Sequence, residues 1–517
     1  MDAHYPKQEH AYSKGILSKI DISSMWFVWV ILLFHAAIYT AASTLVASNL
    51  PLDAVESLYW GKEWQLGYFK HPPMSAWMID AVVQLFGRAD WVIFAAAEAC
   101  TILAVLPVVL IVRERFSAKA GGYTVLAAFL SHFTTLSAVE YNVNMGFLPF
   151  WGWMVYAFLK AEEKDKLVWW VVFGLVSAGG MLGKYTAAIF LMSAVLWVLA
   201  RRRDLLVRPG PYLAALVFLA AIGPHLIWLV QADFILIDYA LGRTGSSNAA
   251  WYRHITMPLK YLAEFAYSVG PMLLVLGIAA GWKKVKSICF SDLIGGVSRV
   301  WADSFLFAAI GPILIITLLS LVLGAKIKTV WSMPLGVVFA GLIGVAAASL
   351  EVEPFKRRFL ISWGTLYALL LIVFVAIMVI APFVKKYPKR MLHDGPALTR
   401  LVEEHWVTHE TKPFEYLVGD HWPGGSVAWY AAVRPTFFER ANLTFSPWVD
   451  ERDLQSKGAV YVDYKEPKAK VAGMCVIAPQ KVRWPAPGGR VYKKHPEVWI
   501  AVLKPALGPN AVTCEGE

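Results

Sequence analysis

Apolar runs recur along the first three quarters of the chain, each of about 20 residues, the length an α-helix needs to cross the hydrocarbon core. In lipid no other open backbone arrangement satisfies its own hydrogen bonds. The pattern therefore predicts a polytopic α-helical membrane protein. About eleven spans are expected, at 25–47, 90–112, 119–138, 144–160, 167–183, 186–200, 211–230, 265–282, 303–323, 331–350 and 359–383. The stretch before them, residues 1–24, is polar and holds Lys7, Lys14 and Lys19. The first apolar run, Trp26 to Val46, is long and lacks a cleavage site. It reads as a true span and not as a cleaved signal.

The cations between spans set an orientation. Arg113, Arg115 and Lys119 fall in one connection, and Lys160, Lys164 and Lys166 in the next but one. The alternation continues with Arg201, Arg202, Arg203 and Arg208, then Lys283, Lys284 and Lys286, then Lys356, Arg357 and Arg358. Cation-rich loops stay in the cytoplasm. The N-terminus is therefore expected inside, and an odd number of spans puts the C-terminus outside.

Two outer loops are long. In loop 48–89, residues 55–66 and 73–87 are apolar on one face but too short to span, and the second holds Asp80. Both are expected to lie as interfacial helices in the headgroup plane. Loop 231–264 is polar, contains glycine and is long enough to fold over a site. After Pro382 the pattern changes. Residues 384–517 are Pro-rich, charged and aromatic, without a span. Strand-like runs at 416–418, 459–462 and 498–503 alternate with helix-like stretches at 397–409 and 425–433. They predict a small α/β domain outside the membrane. The chain thus divides into an N-terminal cytoplasmic segment 1–24, a transmembrane part 25–383 and an outer domain 384–517. No sequence repeat is found.

Composition agrees. Apolar residues make up 58% of 517 and charged residues 16%, and the mean hydropathy is +0.52. A net charge of +11 raises the question of nucleic acid, but the cations sit at span ends, where topology accounts for them. No nucleic-acid partner is expected. The 23 Trp suit interfacial belts. Cys100 falls in a span and Cys289 in an inner loop; Cys475 and Cys514 fall in the outer domain, where a disulfide and two free thiols are both open.

The candidate chemistry gathers on the outer side. Asp53 and Glu56 follow the first span three residues apart and can share a helical face. Lys70 and His71 precede Pro72-Pro73, which starts a helix. Glu140, Asn142 and Asn144 sit in one short outer connection, and Lys184-Tyr185-Thr186 in another. Arg243, Arg253 and His254 lie in loop 231–264. An enzyme at this face has no nucleotide sugar and uses lipid-phosphate conjugates. A phosphate leaving group needs cations to hold it, and the attacking hydroxyl needs a carboxylate base. The loops supply both. The Gly419-Asp420 and Gly424-Gly425 pattern looks like a phosphate loop but lacks the Lys-Ser/Thr of one, so a strand-to-helix turn is expected. His225, beside Pro224, reads as a packed residue.

Asp53 with the nearby Glu56, and Gly67-Tyr68-Phe69-Lys70-His71-Pro72-Pro73, resemble the GT-C glycosyltransferases of the family 39 type. That family includes the protein O-mannosyltransferases and the bacterial lipid A aminoarabinose and galacturonic acid transferases. Further similarity lies in Phe150-Trp151, Gly183-Lys184-Tyr185-Thr186, Gly419-Asp420-His421-Trp422, Arg434-Pro435 and Pro447-Trp448-Val449-Asp450. The resemblance implies a bacterial inner-membrane enzyme with a periplasmic C-terminal domain. It implies Asp53 as principal catalytic carboxylate, Glu140 as a second acid, and His71 and Lys184 facing the lipid-linked phosphate. Glu56 is carried as a third catalytic candidate, and Lys70, Tyr185, Arg243, Arg253 and His254 as substrate contacts. Lys70 and Asn144 stand where many members have an acid. This weakens the case for a metal, though a divalent cation stays open as cofactor, and it favours an anionic sugar lipid.

The expected function is inverting transfer of a sugar, such as galacturonic acid, from polyprenyl phosphate to lipid A, core or another envelope glycan. A protein O-mannosyltransferase-like enzyme is the nearest alternative. A polytopic lipid or sugar transporter is the alternative from another class. It would place ionisable groups at the bilayer midplane, where the spans offer chiefly Glu98.

Overall fold

In the computed structural model the described residues are 16–244, 250–281, 303–351, 353–384, 389–489, 496–506 and 514. Lys283, Lys284, Lys286 and Cys289 lie outside them. Helix α1 (Met25–Val46) starts where the Ser24 hydroxyl accepts from the Phe27 amide at 3.0 Å. The first outer loop then folds into α2 (Leu52–Lys62) and α3 (Met74–Phe86). The bundle continues with α4 (Asp90–Arg115), α5 (Ala118–Ala128), α6 (Val143–Lys164), α7 (Leu167–Gly183), α8 (Ala187–Arg201) and α9 (Pro209–Gln231). A short α10 (Ile235–Thr244) precedes α11 (Arg253–Ala280), α12 (Ser304–Leu323), α13 (Met333–Ser349) and α14 (Glu353–Val384).

Every expected span has a helix under it. Among the described residues seven helices are long and apolar enough to cross a membrane, while α7 and α8 are apolar but shorter. The expected span 119–138 is helical only over α5. Beyond it side chains take over the backbone acceptors: the Thr135 hydroxyl donates to the Ser131 carbonyl at 2.7 Å, and Ser137 Oγ lies 3.0 Å from His132 Nε2. Such local bonds compete with a helix. The α5 helix is clasped by α13, and a Cβ at Gly344 would meet Thr124 Oγ1 at 2.1 Å.

Among the described residues the bundle interior is largely apolar, and it encloses an ionisable pair. His35 and Glu98 lie 3.3 Å apart, 0% and 1% exposed. His35 Nδ1 is 3.0 Å from the Tyr367 hydroxyl, and its ring stacks on Phe129.

The C-terminal part is a mixed sheet with α15 (Gly395–Val407), α16 (Pro423–Tyr430) and α17 (Glu451–Lys457). Its strands are β1 (Tyr416–Gly419), β2 (Thr436–Glu439), β3 (Ala459–Asp463), β4 (Lys470–Val471), β5 (Met474–Arg483) and β6 (Glu497–Lys504). Their order is β2-β1-β3-β6-β5-β4. The first three run parallel and the rest pair antiparallel. Cys475 and Cys514 form a disulfide. The Gly419-Asp420 segment is the expected strand-to-helix turn. Gly419 has φ +155°, and a Cβ there would meet the Val462 carbonyl at 1.9 Å.

The sheet domain and the first outer loop share one core. Tyr59, Trp60 and Tyr68 pack with Leu417, Phe437 and Val427, and α16 rests on α2. This corrects the interfacial reading of α2: Ala54 to Gly61 are all buried, enclosed by the sheet domain and not lying on headgroups. The Tyr59 hydroxyl donates to Glu439 at 2.8 Å. Asp80, 1% exposed, accepts from Arg434 at 2.7 Å, Trp64 at 2.8 Å and Gln84 at 2.6 Å.

Candidate active site

A cavity of about 400 Å³ opens where the loop helices meet the ends of the bundle. Five chain segments line it. From the first loop come Asp53, in the opening turn of α2, and Lys70, His71 and Pro72. Asn144 comes from the start of α6, and Lys184, Tyr185 and Thr186 from the turn into α8. Leu236, Tyr239, Ala240 and Arg243 come from α10, with Lys328 and Trp331 ahead of α13.

Local chemistry explains each placement. Pro72-Pro73 ends the first-loop strap, which the Tyr68 and His71 backbones close by mutual hydrogen bonds of 3.0 and 3.3 Å. The Asn142 side chain caps α6, accepting from the Asn144 amide at 2.8 Å and the Met145 amide at 3.4 Å. Such a cap leaves a helix N-terminus, with its partial positive charge, aimed at the site. Lys184 Nζ donates to Asn144 Oδ1 and stands 5.2 Å from the Trp331 ring. The Tyr185 hydroxyl lies 2.7 Å from His225 Nε2, and His225 Nδ1 lies 2.7 Å from the Leu66 carbonyl. His225 thus ties the α8 turn to the first loop. The Tyr239 ring faces His71 edge-on at 6.0 Å. Thr186 Oγ1 is buried with no hydrogen-bond partner among the described residues, an unsatisfied donor at the cavity wall.

The cavity is cationic. Lys70, Lys184, Arg243 and Lys328 face one lining carboxylate, Asp53, which is exposed and carries no side-chain hydrogen bond among the described residues. Burial first, and then Lys328, pull the Lys184 ammonium down to about 7, against the pull of Asp53. Burial also lowers Lys328, helped by Arg243 and Lys326. His71 is driven down to about 3 by burial and the nearby Lys184, Lys70 and Arg243. It is a neutral imidazole here, a hydrogen-bonding group without charge. Burial lowers Lys70 as well, but its ion pair with Glu56 outweighs that and holds it above its ordinary value.

Asp53, Lys70, His71, Lys184, Tyr185 and Arg243 therefore come together as expected. Four expectations are corrected. Glu140 lies outside the cavity lining; burial raises it, and Lys389, Asp53 and Arg390 act on it. Glu56 does not line the cavity; it is 5% exposed, turned to Lys70, and burial pushes it up to about 7. Arg253 and His254 start α11 outside the cavity, and His254 Nδ1 meets the Leu321 carbonyl at 2.8 Å. Lys328, Tyr239 and Trp331 join the site without having been expected. A signal for Lys328 existed: Lys326 and Lys328 are cations in a connection that the charge rule assigns to the outer side.

The lining does not suit a divalent cation, which takes six or more oxygens and favours carboxylates. Among the described residues Asp53 is the sole lining carboxylate, and the Asn144 oxygen is engaged by Lys184. Among the described residues no three His, Cys, Asp or Glu side chains come together.

Residues 70–228 match the family described as dolichyl-phosphate-mannose-protein mannosyltransferase. ArnT from Cupriavidus metallidurans bound to undecaprenyl phosphate superposes with TM-score 0.64 and 13% identity, covering 95% of this chain and all (100%) of that one. Its apo state gives 0.59 at the same identity and coverage. The chain has the fold of a GT-C glycosyltransferase. No curated protein matches its sequence significantly. The family match takes in Lys70, His71, Glu140, Asn144 and Lys184 but begins after Asp53 and ends before Arg243 and Lys328. The cavity of this GT-C fold is thus assembled from segments on both sides of the matched stretch.

Proposed function

We propose that the protein is an inverting glycosyltransferase that takes its sugar from a polyprenyl phosphate. The observation that carries this reading is the single free carboxylate, Asp53, set against four cations in one cavity. The acceptor hydroxyl attacks the anomeric carbon and gives its proton to Asp53. The anomeric carbon–phosphate oxygen bond breaks, and the electron pair leaves on the lipid phosphate. Lys70, Lys184, Arg243 and Lys328 hold that charge as it develops, where it is worth most to hold it. Bound donor phosphate draws Lys184 back to its charged form. Neutral His71 and the unsatisfied Thr186 hydroxyl add hydrogen bonds.

Lys70 is already paired with Glu56, and Lys184, Arg243 and Lys328 still outnumber Asp53 and one donor phosphate. We therefore infer a donor sugar that is itself anionic, a uronic acid such as galacturonic acid, and an acceptor among lipid A, core or other envelope glycans. The active face is the periplasmic side of the bacterial inner membrane, and the N-terminus is cytoplasmic. The disulfide between Cys475 and Cys514 supports that side for the sheet domain, because disulfides persist in oxidising compartments. The likeness to ArnT, solved with undecaprenyl phosphate, supports the donor class. The enclosed His35–Glu98 pair is bonded within the bundle and lines none of the cavity, which speaks against a transport path.

The test is a donor screen with purified protein in detergent. Undecaprenyl-phosphate-linked galacturonic acid should be consumed and its neutral counterpart much less. Good use of the neutral donor with no use of the uronic one would overturn the sugar assignment. Consumption of neither would overturn the transfer reading.

A further inference from the structure

The sheet domain carries a second cluster that this chemistry does not use. Strands β1, β2 and β3 run parallel with β1 in the middle. The chain passes from β1 to one neighbour and then crosses to the other. Open α/β sheets hold ligands at such a switch point, outside the carboxyl ends of the strands. The residues just past those three ends are Asp420, Arg440 and Tyr464.

Their side chains form one surface. Asp420 accepts from Arg440 Nη2 at 3.2 Å, and His421 Nδ1 lies 3.2 Å from its other oxygen. The Arg440 side chain is 50% exposed. Among the described residues its side-chain bonds come from Nη2 alone, so Nε and Nη1 keep their donors. Arg390 brings a second guanidinium, 5.1 Å from the Trp422 ring centre. A guanidinium over a ring keeps its edge donors for other partners, and among the described residues the Arg390 side chain donates no hydrogen bond. Trp422 is 7% exposed, and its indole N–H is buried without a partner among the described residues. Tyr464, 38% exposed, lies 6.3 Å from Trp422.

We propose that this crevice binds an anionic saccharide and holds the head of the acceptor, an inference that rests on the transfer reading above. Two guanidinium forks fit a phosphate or carboxylate in bidentate fashion, and an exposed phenol ring covers the apolar face of a sugar. The position fits that use. Helix α16, which follows Asp420, rests on the helix that carries Asp53. Arg390 and Lys389 act on Glu140, which in turn feels Asp53. None of the crevice residues lines the cavity, so a saccharide seated here would lie outside it.

The experiment titrates full-length protein in detergent, by calorimetry, with an acyl-free glucosamine disaccharide bisphosphate and with the same disaccharide after dephosphorylation. The bisphosphate should bind, and the dephosphorylated sugar at least about tenfold more weakly. Arg440→Gln and Tyr464→Ala should each weaken the bisphosphate by about tenfold, and Lys184→Gln should leave it unchanged. Equal binding of both sugars, binding insensitive to both sheet-domain variants, or loss of binding in Lys184→Gln would each overturn the site. Undecaprenyl phosphate, titrated into the same preparations, reports separately on the transfer reading. If it fails to bind while the disaccharide binds as expected, the cavity assignment falls and the saccharide site stands.

Discussion

The first outer loop carries two aspartates on neighbouring helices, and the structure treats them in opposite ways. Asp80 on α3 is 1% exposed and accepts from Arg434, Trp64 and Gln84. Asp53 on α2 is exposed, without a side-chain hydrogen bond among the described residues, and faces a cavity of cations. The same functional group is a rivet in one place and an unused acceptor in the other. A buried charge must be paired or it unfolds its surroundings. A charge left unpaired beside a cavity is free to take a proton or meet a substrate. The two helices touch closely, so the difference belongs to the partners supplied by the sheet domain, which covers α3 with Arg434 and leaves Asp53 open.

The largest test of this contrast is Asp53→Asn. It should lower transfer by about a thousandfold, the scale of losing a positioned base, with thermal unfolding unchanged. A folded variant that keeps full transfer would sink the catalytic assignment. Arg434→Ala should do the reverse. It strands the Asp80 charge and should cost about 3 kcal/mol of stability, read by denaturant unfolding, with turnover per folded molecule preserved. Lost turnover at unchanged stability would erase the division between the two aspartates.

Lys184→Gln sharpens the cationic side. It should reduce transfer by about a hundredfold, as when a transition-state donor is removed. Its pH signature is distinct. Free Lys184 titrates at about 7, and a bound phosphate anion raises that value. Donor affinity should therefore be flat below pH 7 and fall above it, by up to about tenfold per unit, because binding must then take up a proton. In Lys184→Gln that fall should flatten. An unchanged pH profile would show that Lys184 does not meet the phosphate.

These contrasts also mark what the residues alone could reveal. Apolar runs made the bundle legible, since lipid leaves few alternatives, and Asp53, Lys70, His71 and Lys184 could be gathered by charge and position in the loops. The end of α5 was hidden because Ser131, Thr134 and Thr135 read as part of an apolar run until their hydroxyls bond the backbone. Strand β5, Met474–Arg483, was missed because its later residues are exposed and polar, with only its start buried. Glu56 looked catalytic by spacing from Asp53; only the tertiary packing that buries α2 turns it toward Lys70. Loop membership says nothing of direction, so it groups Arg253 and His254 with the site although they start α11 outside the cavity. The charge rule could also have gathered Lys328, because Lys326 and Lys328 stand in a connection it assigns to the outer side.

Glu56→Gln gives the smallest expected effect and separates a supporting role from a catalytic one. In the wild type, burial pulls Lys70 down and Glu56 holds it up. Removing the carboxylate leaves burial opposed only by Glu439 and Tyr239, so Lys70 should lose its proton at lower pH than before. Transfer should then fall by roughly tenfold at alkaline pH, the cost of one weakened charge-assisted contact, and much less below neutrality, where Lys70 stays charged. Glu56→Asp, which keeps the charge, should restore most of the alkaline activity. If Glu56 were the base instead, Glu56→Gln would abolish transfer at every pH and Asp53→Asn would spare it. The pair of profiles decides between a carboxylate that takes the proton and one that keeps its neighbour charged.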